Sequence, residues 1–388
     1  MMEISKTEAR KMAMSHQGLL STKPFGSGKA SVKRTVEHLG YIQLDTISVI
    51  ERAHLHTLWT RNTHFQKNWL YEAINQKALF EYWSHAASIL PMSEYRYSLP
   101  RKHRILSGEK HWFKKDINMM NEVLQIIRSE GPKMSRDFES GNSNGGSWYD
   151  WKPVKKALEQ LFMEGRLMIS HRNKFQKVYD LPERVLPPDI DTSFPTESEM
   201  AEYYILSHLR SHGLAQISEF CYLQGWWKKR VNQKIKELLE AEKLLEIKVE
   251  GIESTFITTT ETVEAIQGKR ARKQIHILSP FDNAIIQRKR LKSLFDFDYQ
   301  IECYVPKPKR KFGYFTLPVL WGTEFIGRLD AKADRKSKEF NVWNIWQEPN
   351  TLWDDRMIQS FSSKLRDFSR FHGCDQIVIH QSDIPSLT

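Results

Sequence analysis

Residues 151–181 read WKPVKKALEQLFMEGRLMISHRNKFQKVYDL and predict one helix followed by two short strands. The first half places apolar side chains at helical spacing, as at Val154, Leu158 and Leu161. The second half has two β-rich segments on either side of a polar turn. Residues 227–259 repeat this order and begin with the same Trp-Lys pair. A helix that leads into a two-stranded hairpin is typical of a winged helix, so we expect this unit twice.

Two further helices are predicted before each hairpin unit. Residues 118–140 contain a helix that ends at Gly131 and a second short helix, and residues 198–223 contain the same pair with a stop at Gly213. Residues 5–45 form a third, less regular copy in which two helices lead into a strand. A generic helical protein with hairpins is the plainer alternative, but the repeated order favours tandem winged helices.

The C-terminal third follows a different pattern. From about residue 271, apolar and polar residues alternate between turn signals, which predicts an antiparallel meander or small barrel, and residues 354–373 predict a final helix. The segment GNSNGGS at 141–147 indicates a flexible loop, and the Pro-rich residues 181–195 indicate a boundary. We therefore expect an α+β fold with four domains: 1–115, an N-terminal winged-helix-like domain; 116–186 and 187–265, the second and third winged helices; and 266–388, a β-barrel with a terminal helix.

The charge of the chain favours a polyanionic partner. Lys and Arg number 58 against 47 Asp and Glu, which gives a formal net charge of +11. The cations concentrate in five clusters, at residues 101–115, 226–230, 268–273, 287–292 and 306–311. Solvated helix faces and loop tips would explain each cluster separately, whereas a composite groove for nucleic acid would explain all five together.

The other bulk features exclude several classes of protein. The three cysteines, Cys221, Cys303 and Cys374, lie far apart without a CxxC pair, so neither a disulfide framework nor a zinc finger is predicted. No run approaches the roughly 18 apolar residues of a membrane span, and the N-terminus is an amphipathic helix rather than a signal peptide. We expect a cytoplasmic, nucleoid-associated protein.

Residues 41–61, YIQLDTISVIERAHLHTLWTR, place polar groups inside an apolar run. On a strand, Gln43 and Asp45 point the same way while Leu44 points into the core. The residues after Asp45 predict a helix, so this carboxylate is either the N-cap of that helix or a group with a chemical role. The two roles are compatible, because a helix N-terminus keeps a carboxylate ionised.

This stretch resembles the signature of the winged-helix DNA glycosylases of the YcaQ/AlkZ type, a Gln-apolar-Gln or Gln-apolar-Asp motif followed by a Val-x-x-Arg-x-His-like segment. Four further stretches match in the same order: FEYWSHAAS (80–88), KVYDLPERVLP (177–187), LSPFDNAIIQRKRLKSLFDFDYQIECYVP (278–306) and GRLDAKADR (327–335). The resemblance therefore spans almost the whole chain. It implies tandem winged helices wrapped into a C-shaped body with a C-terminal antiparallel β-barrel, and excision of bulky or crosslinked alkylated bases from DNA.

The third position of the motif distinguishes two branches of this family. Asp45 resembles the broader-specificity branch, which unhooks interstrand crosslinks and removes N7-alkylated purines. The Gln-apolar-Gln branch is devoted to one natural-product adduct, and this chain departs from it. The resemblance thus implies a DNA glycosylase of the crosslink-repair type that works as a monomer.

The resemblance also implies roles for the two motif residues. An N7-alkylated purine is positively charged and already a good leaving group, so the reaction needs a stabilised oxocarbenium-like sugar and a water to capture it. Asp45 would stabilise the sugar cation and accept a proton from the water, and Gln43 would orient that water. No lysine stands out as a Schiff-base nucleophile, which favours a monofunctional enzyme.

Residues downstream of the motif are candidates for DNA contact. Arg52, His54 and Arg61 would contact phosphates or scaffold the site, and their structural alternative is ordinary ion pairing with Glu51. The pair His54 and His56 has no acidic partner at ligand spacing, so no metal is expected.

Aromatic residues and the basic clusters supply the remaining candidates. Tyr82, Trp83 and His85 would line the lesion pocket, unless they belong to an aromatic core. The hairpin tip at residues 171–175 would touch a groove or phosphates, unless it is a solvated turn. The cations expected at DNA are Arg101, Lys102, Arg104, Lys114, Lys115, Arg172, Lys174, Lys228, Lys229 and Arg230.

The main rival interpretation is a tandem winged-helix transcriptional regulator without catalysis. Its charge and fold would be the same, and the discriminating feature is the pair Gln43 and Asp45, which a regulator has no need to expose in a basic cleft. A nuclease is disfavoured because no cluster of acids suited to metal ions occurs in the sequence. We predict a DNA glycosylase that acts on double-stranded DNA with no cofactor.

Overall fold

The computed structural model describes residues 2–45, 47, 49–109, 114–141, 151–266, 272–349 and 351–387. The predicted loop at 141–147 lies outside this description apart from its first residue, as do residues 268–271 of one basic cluster. Among the described helices, none is long and apolar enough to cross a membrane. The chain forms two compact units: unit 1 contains Met1–Phe65 and Ala201–Thr388, and unit 2 contains Gln66–Met200. The four-domain division stays a prediction.

Helices and strands alternate along the whole chain, which confirms the α+β class. The helices are α1 Lys6–His16, α2 Ala30–Leu39, α3 Ala53–Arg61, α4 Lys67–Asn75, α5 Leu99–Leu106, α6 Ile117–Glu130, α7 Trp151–Met163, α8 Pro182–Val185, α9 Glu197–His212, α10 Lys228–Glu240, α11 Thr260–Ile266, α12 Arg288–Phe295 and α13 Asp355–Phe371. The strands are β1 Met2–Ile4, β2 Ile42–Gln43, β3 Leu79–Trp83, β4 Ala87–Pro91, β5 Met168–Asn173, β6 Gln176–Asp180, β7 Leu245–Val249, β8 Ile252–Thr258, β9 Ile275–Ile277, β10 Leu317–Trp321, β11 Glu324–Asp334, β12 Glu339–Gln347 and β13 Gln376–Ile379.

Unit 2 contains the first helix-and-hairpin repeat in the predicted order. The helix α6 begins after Asp116, whose side chain accepts a hydrogen bond from the Met119 N–H (3.1 Å) and so satisfies an otherwise free amide. The apolar faces of α6 and α7 share one core with the antiparallel hairpin β5–β6, in which Ile169 pairs with Tyr179. The helical spacing in residues 151–163 therefore reports the buried face of α7 correctly.

Unit 1 contains the second repeat, α9, α10 and the hairpin β7–β8. Val231, Ile235 and Leu238 of α10 are buried, as their spacing predicts. The strand β1 lies parallel to β7, with Met2 opposite Ile247, and makes the hairpin a three-stranded sheet. The sequence analysis did not predict β1, because three residues are too few to show a period.

The C-terminal sheet of unit 1 corrects the predicted antiparallel barrel. Its order is β13-β12-β11-β10-β9, and its edge strands β9 and β13 are not neighbours in the described part of the chain, so the sheet is a curled half-barrel. The strand β13 pairs parallel to β12, with Phe340 opposite Ile377. The helix α13 connects these two strands, and a helical crossover returns the chain in the same direction. The predicted final helix is confirmed and ends beside Gly373.

Candidate active site

The motif residues Gln43 and Asp45 follow a sharp change of direction after α2. That helix ends at Gly40, whose φ of 77° lies in the left-handed region that glycine adopts without strain. The chain then forms the two-residue strand β2, with Ile42 buried and Gln43 half-buried. Asp45 is also half-buried two residues later. Both polar residues therefore lie at the boundary between core and solvent, although the Asp45 Oδ2 atom itself is buried.

Asp45 is not the N-cap of a helix, which corrects one of the two predicted roles. The helix α3 begins at Ala53, and its N-cap position is Arg52. The β-branched residues Ile47, Val49 and Ile50 explain the delay, since such side chains are disfavoured in helices. Eight positions therefore separate Asp45 from the first helical residue.

Two consecutive residues, Asp282 and Asn283, hold both ends of the stretch 41–61. The Asn283 side-chain amide donates to the Tyr41 carbonyl oxygen (3.0 Å) just before β2. The Arg61 guanidinium, at the end of α3, pairs with both carboxylate oxygens of Asp282, one of them at 2.8 Å. The side chains of Asp282 and Asn283 are both buried. This clamp fixes the position of the motif strand relative to α3.

The guanidinium of Arg61 has a scaffolding role and no contact with solvent. Its side chain is 0% exposed, and besides Asp282 it donates to the Gln17 carbonyl oxygen (3.1 Å) and side-chain oxygen (3.2 Å). Of the two functional roles predicted for it, the structure supports scaffolding of the site. A DNA phosphate cannot reach a guanidinium that is enclosed in this way. The predicted alternative partner, Glu51, is not among its contacts.

The turn between the motif and α3 is held from the C-terminal sheet. The Arg335 guanidinium donates to the Ile50 carbonyl oxygen (2.5 Å) and lies 3.5 Å from the buried Glu51 carboxylate. The Arg52 N–H donates to the same carboxylate (3.0 Å), and Arg52 itself is half-buried. His54 is buried within α3 at 2% exposure, so its imidazole does not form part of a DNA-facing surface.

The Asp45 carboxylate acts on two side chains that the sequence analysis did not select, Cys303 and Tyr304. Burial raises the pKa of each, and the negative charge of Asp45 raises both further. These residues follow α12 in the segment 296–316, so the fold brings a distant part of the chain to the motif. Their signal in the sequence is membership in the block 278–306 that resembles the family.

Comparison with known proteins identifies the family of the chain. Residues 36–371 match the profile of a family described as DNA glycosylase AlkZ-like. The chain belongs to the AlkZ-like DNA glycosylase family. The solved structure of the Streptomyces sahachiroi DNA glycosylase AlkZ superposes with a TM-score of 0.66 over 98% of this chain and 100% of that chain, at 16% sequence identity. The protein is therefore an N-glycosyl hydrolase of DNA repair that has DNA as its substrate, and the regulator interpretation is set aside.

The three aromatic candidates of the glycosylase lie in unit 2 and differ in exposure. Tyr82 is 2% exposed and its hydroxyl donates to the Met163 carbonyl oxygen (2.8 Å), which matches the predicted alternative of an aromatic core. Trp83 is half-buried with the Arg101 guanidinium 5.5 Å from its ring centroid. His85 is half-buried, and burial lowers its pKa to about 4, so it is neutral at physiological pH.

The cations of α5 are less available to DNA than the sequence suggests. Lys102 is 5% exposed, and its ammonium group lies 3.9 Å from the Tyr95 ring centroid, 4.7 Å from that of Tyr82 and 5.7 Å from that of Phe80. Its predicted DNA contact is not supported, because no path to a phosphate exists from this cage. Arg104 is partly exposed and pairs with Glu109 at 2.8 Å.

Two cations precede α6 at a cleft of about 480 Å³. Lys114 is exposed, whereas Lys115 pairs with the Glu164 carboxylate at 2.7 Å and donates to the Ile105 carbonyl oxygen (3.0 Å). Lys114 is therefore the better placed of the two for a phosphate, and Lys115 ties α7 to the end of α5.

The two residues of the hairpin β5–β6 that were predicted to contact DNA, Arg172 and Lys174, differ in exposure. The Arg172 guanidinium makes a bidentate pair with Glu81 at 2.5 and 2.7 Å, and its side chain is 7% exposed. It therefore joins β5 to β3, and a role at the tip is not supported. Lys174 is exposed at the turn with a left-handed φ of 58°. Of the two cations in this hairpin that were predicted to contact DNA, only Lys174 faces solvent.

The start of α10 carries the most accessible of the predicted cations. Lys228, Lys229 and Arg230 are all exposed, and Trp226 just before them is 40% exposed. Among the described residues, no group of three His, Cys, Asp or Glu side chains comes together as metal ligands. The absence of a metal from the mechanism stays a prediction.

Proposed function

We propose that the protein is a monofunctional, monomeric glycosylase that excises bulky or crosslinked N7-alkylated purines from double-stranded DNA and thereby unhooks interstrand crosslinks. The observation that carries this proposal is the placement of Asp45. It follows β2, it is not the cap of α3, it is half-buried with its Oδ2 atom enclosed, and its charge acts on the exposed Tyr304. A carboxylate at the boundary between core and solvent can stabilise a cation that forms during the reaction.

The reaction needs little help with the leaving group. Alkylation at N7 places positive charge on the purine, so the glycosidic bond breaks towards an oxocarbenium-like sugar without prior protonation of the base. The Asp45 carboxylate would stabilise the sugar cation and accept a proton from the attacking water. Gln43, which offers both a donor and an acceptor, would orient that water.

Lys102, a lysine whose pKa is lowered, is not placed to carry out a lyase step. A Schiff base requires a neutral and accessible amine. Burial lowers the pKa of Lys102 to about 7, but three aromatic rings surround its amine, which therefore cannot meet a sugar. This supports the monofunctional reaction.

The first test is Asp45→Asn, which keeps the shape of the side chain and removes its charge. We expect release of 7-methylguanine to fall about 100-fold or more, because charge supplies most of the stabilisation. Affinity for duplex DNA should stay within about threefold of wild type. The matched control is Asp189→Asn, the same change at an exposed carboxylate of unit 2, which should behave as wild type.

Two DNA substrates distinguish excision of single alkylated bases from unhooking of interstrand crosslinks. One duplex carries a single 7-methylguanine and the other an N7–N7 interstrand crosslink. Release of base from both by wild type supports crosslink unhooking. Release from the first alone would limit the protein to single adducts, and equal loss of binding and excision in Asp45→Asn would remove the catalytic role.

A further inference from the structure

Residues 302–315 form a loop, here called the basic loop, that carries one fully presented aromatic ring. Tyr304 is 78% exposed, the highest value for any aromatic side chain in the described part of the chain. A single exposed aromatic ring is common on protein surfaces, so the rigidity and charge of its surroundings decide whether it is suited to recognition. The question is which ligand suits it.

Internal bonds fix the basic loop, so the exposure of Tyr304 does not come from fraying. The buried Glu302 carboxylate accepts hydrogen bonds from the backbone N–H groups of Lys311 (2.8 Å) and Phe312 (2.7 Å). The Val305 N–H donates to the Glu302 carbonyl oxygen (3.0 Å). The Arg310 guanidinium then donates to the Val305 carbonyl oxygen (2.8 Å). Both ends of the loop are thus held by one residue.

The charges around the loop favour a polyanionic ligand that carries one local positive charge. Lys307, Lys309 and Lys311 are exposed and make no ion pair within the described residues, so they are available to phosphates. The negative charge of the Asp45 carboxylate, in contrast, contributes to raising the pKa of the Tyr304 hydroxyl. A phosphate backbone with a positively charged base satisfies both halves of this arrangement.

We propose that Tyr304 determines specificity by stacking its ring on the damaged purine and recognising the positive charge that alkylation places there. The proposal rests on the proposed function, whose substrate class it refines. The face of an aromatic ring is electron-rich, so it attracts a cation more than a neutral ring of the same shape. The negative charge of Asp45 would favour the same positive charge.

The test compares two lesions of equal shape and different charge. One duplex contains 7-methylguanine on a 2′-fluoroarabinose, which is cationic and resists hydrolysis, and the other contains neutral 7-methyl-7-deazaguanine. We expect wild type and Tyr304→Phe to bind the cationic duplex about three- to thirty-fold more tightly than the neutral one. Tyr304→Leu should prefer it by less than about twofold.

Two controls identify the cause of any change. Trp343→Leu removes another exposed aromatic ring of unit 1 (45% exposed) and should keep the wild-type preference. Affinity for an undamaged duplex should be the same in all variants, since the lysines are intact. If Tyr304→Leu keeps the wild-type preference, the proposal is overturned.

Failure of this proposal is distinguishable from failure of the proposed function. Wild type that releases no base from alkylated DNA would refute the proposed function. Wild type that releases base, together with an inactive Asp45→Asn and an unaltered Tyr304→Leu, would overturn only the role of Tyr304.

Discussion

The ammonium group of Lys102 occupies an apolar site and has no hydrogen-bond partner among the residues that the structure describes. It lies within unit 2 against the rings of Phe80, Tyr82 and Tyr95, and burial lowers its pKa to about 7. Contact with the ring faces offsets part of the loss of hydration, but less than a carboxylate would. The four-carbon stem, packed against Gly165, supplies the favourable part of the contact.

Lys102→Met should therefore stabilise the protein at pH 7 by about 1–3 kcal/mol, because it keeps the stem and removes a buried amine without a partner. The folded pKa lies below the unfolded value of about 10.4, so the unfolded chain binds more protons between these values. Wild-type stability rises with pH across that window, and the difference between the two proteins should shrink towards pH 10. Urea unfolding at pH 7 and pH 9.5 measures it.

The exposed Lys174→Met is the control for this change and should alter stability little at either pH. A less stable Lys102→Met at pH 7 would show that the ring contacts outweigh desolvation.

At the scale of residues, the sequence identifies cations but not which of them are buried. Arg61 finds Asp282 and Arg172 finds Glu81 across 221 and 91 positions of the chain. No local pattern reports such partners, because they meet only after the elements have packed. Gln43 and the half-buried Asp45 were predicted from a sequence motif. Tyr304 was missed because a single exposed tyrosine produces no periodic pattern in the sequence.

At the scale of elements, α10 presents a basic N-terminal turn. Lys228, Lys229 and Arg230 project into solvent while Val231 and Ile235 enter the core. The helix dipole adds partial positive charge at the same end. This arrangement suits phosphates, as expected for the third helix of a winged helix.

The triple substitution of Lys228, Lys229 and Arg230 by Gln should weaken binding to all duplexes about equally. The slope of log K against log salt concentration should become shallower by about 2–3, since each phosphate contact contributes about 0.9. Titrations of an undamaged duplex between 50 and 200 mM salt measure it. Lys236→Gln, further along the same helix, is the control and should change the slope by less than one. An unchanged slope in the triple variant would place DNA elsewhere.

The elements that the sequence predicts are those with a long and regular period. The helices α6, α7, α10 and α13 match their predicted spans because their buried faces repeat every turn. The start of α3 was misplaced because β-branched residues delay it. The strand β13 was missed because its parallel pairing depends on the crossover through α13.

At the scale of the whole molecule, acid sensitivity follows from buried histidines. Within the part of the chain that the structure describes, burial lowers the pKa of seven histidines: His16, His38, His56, His85, His208, His212 and His276. Each is held neutral in the fold, and several donate to carbonyl oxygens, as His276 does to Leu19 (2.9 Å). Asp330 acts in the opposite direction, because burial and the nearby Glu302 raise its pKa to about 6.

The melting temperature should therefore fall steeply as the pH drops from 6.5 to about 4. The unfolded histidines have a pKa near 6.5 and the folded ones a lower value, so the unfolded chain takes up protons that the fold refuses, and stability is lost as pH falls. Each such group contributes up to about 1.4 kcal/mol per pH unit, and seven histidines outweigh Asp330 and Glu219, the two carboxyls whose pKa burial raises among the described residues. His276→Gln keeps a donor for the Leu19 carbonyl oxygen and should reduce by about one the number of protons that the chain takes up on unfolding in acid. His171→Gln, at an exposed position, should leave that number unchanged. A melting temperature that stays constant from pH 7.5 to pH 5 would contradict the burial of these rings as the cause.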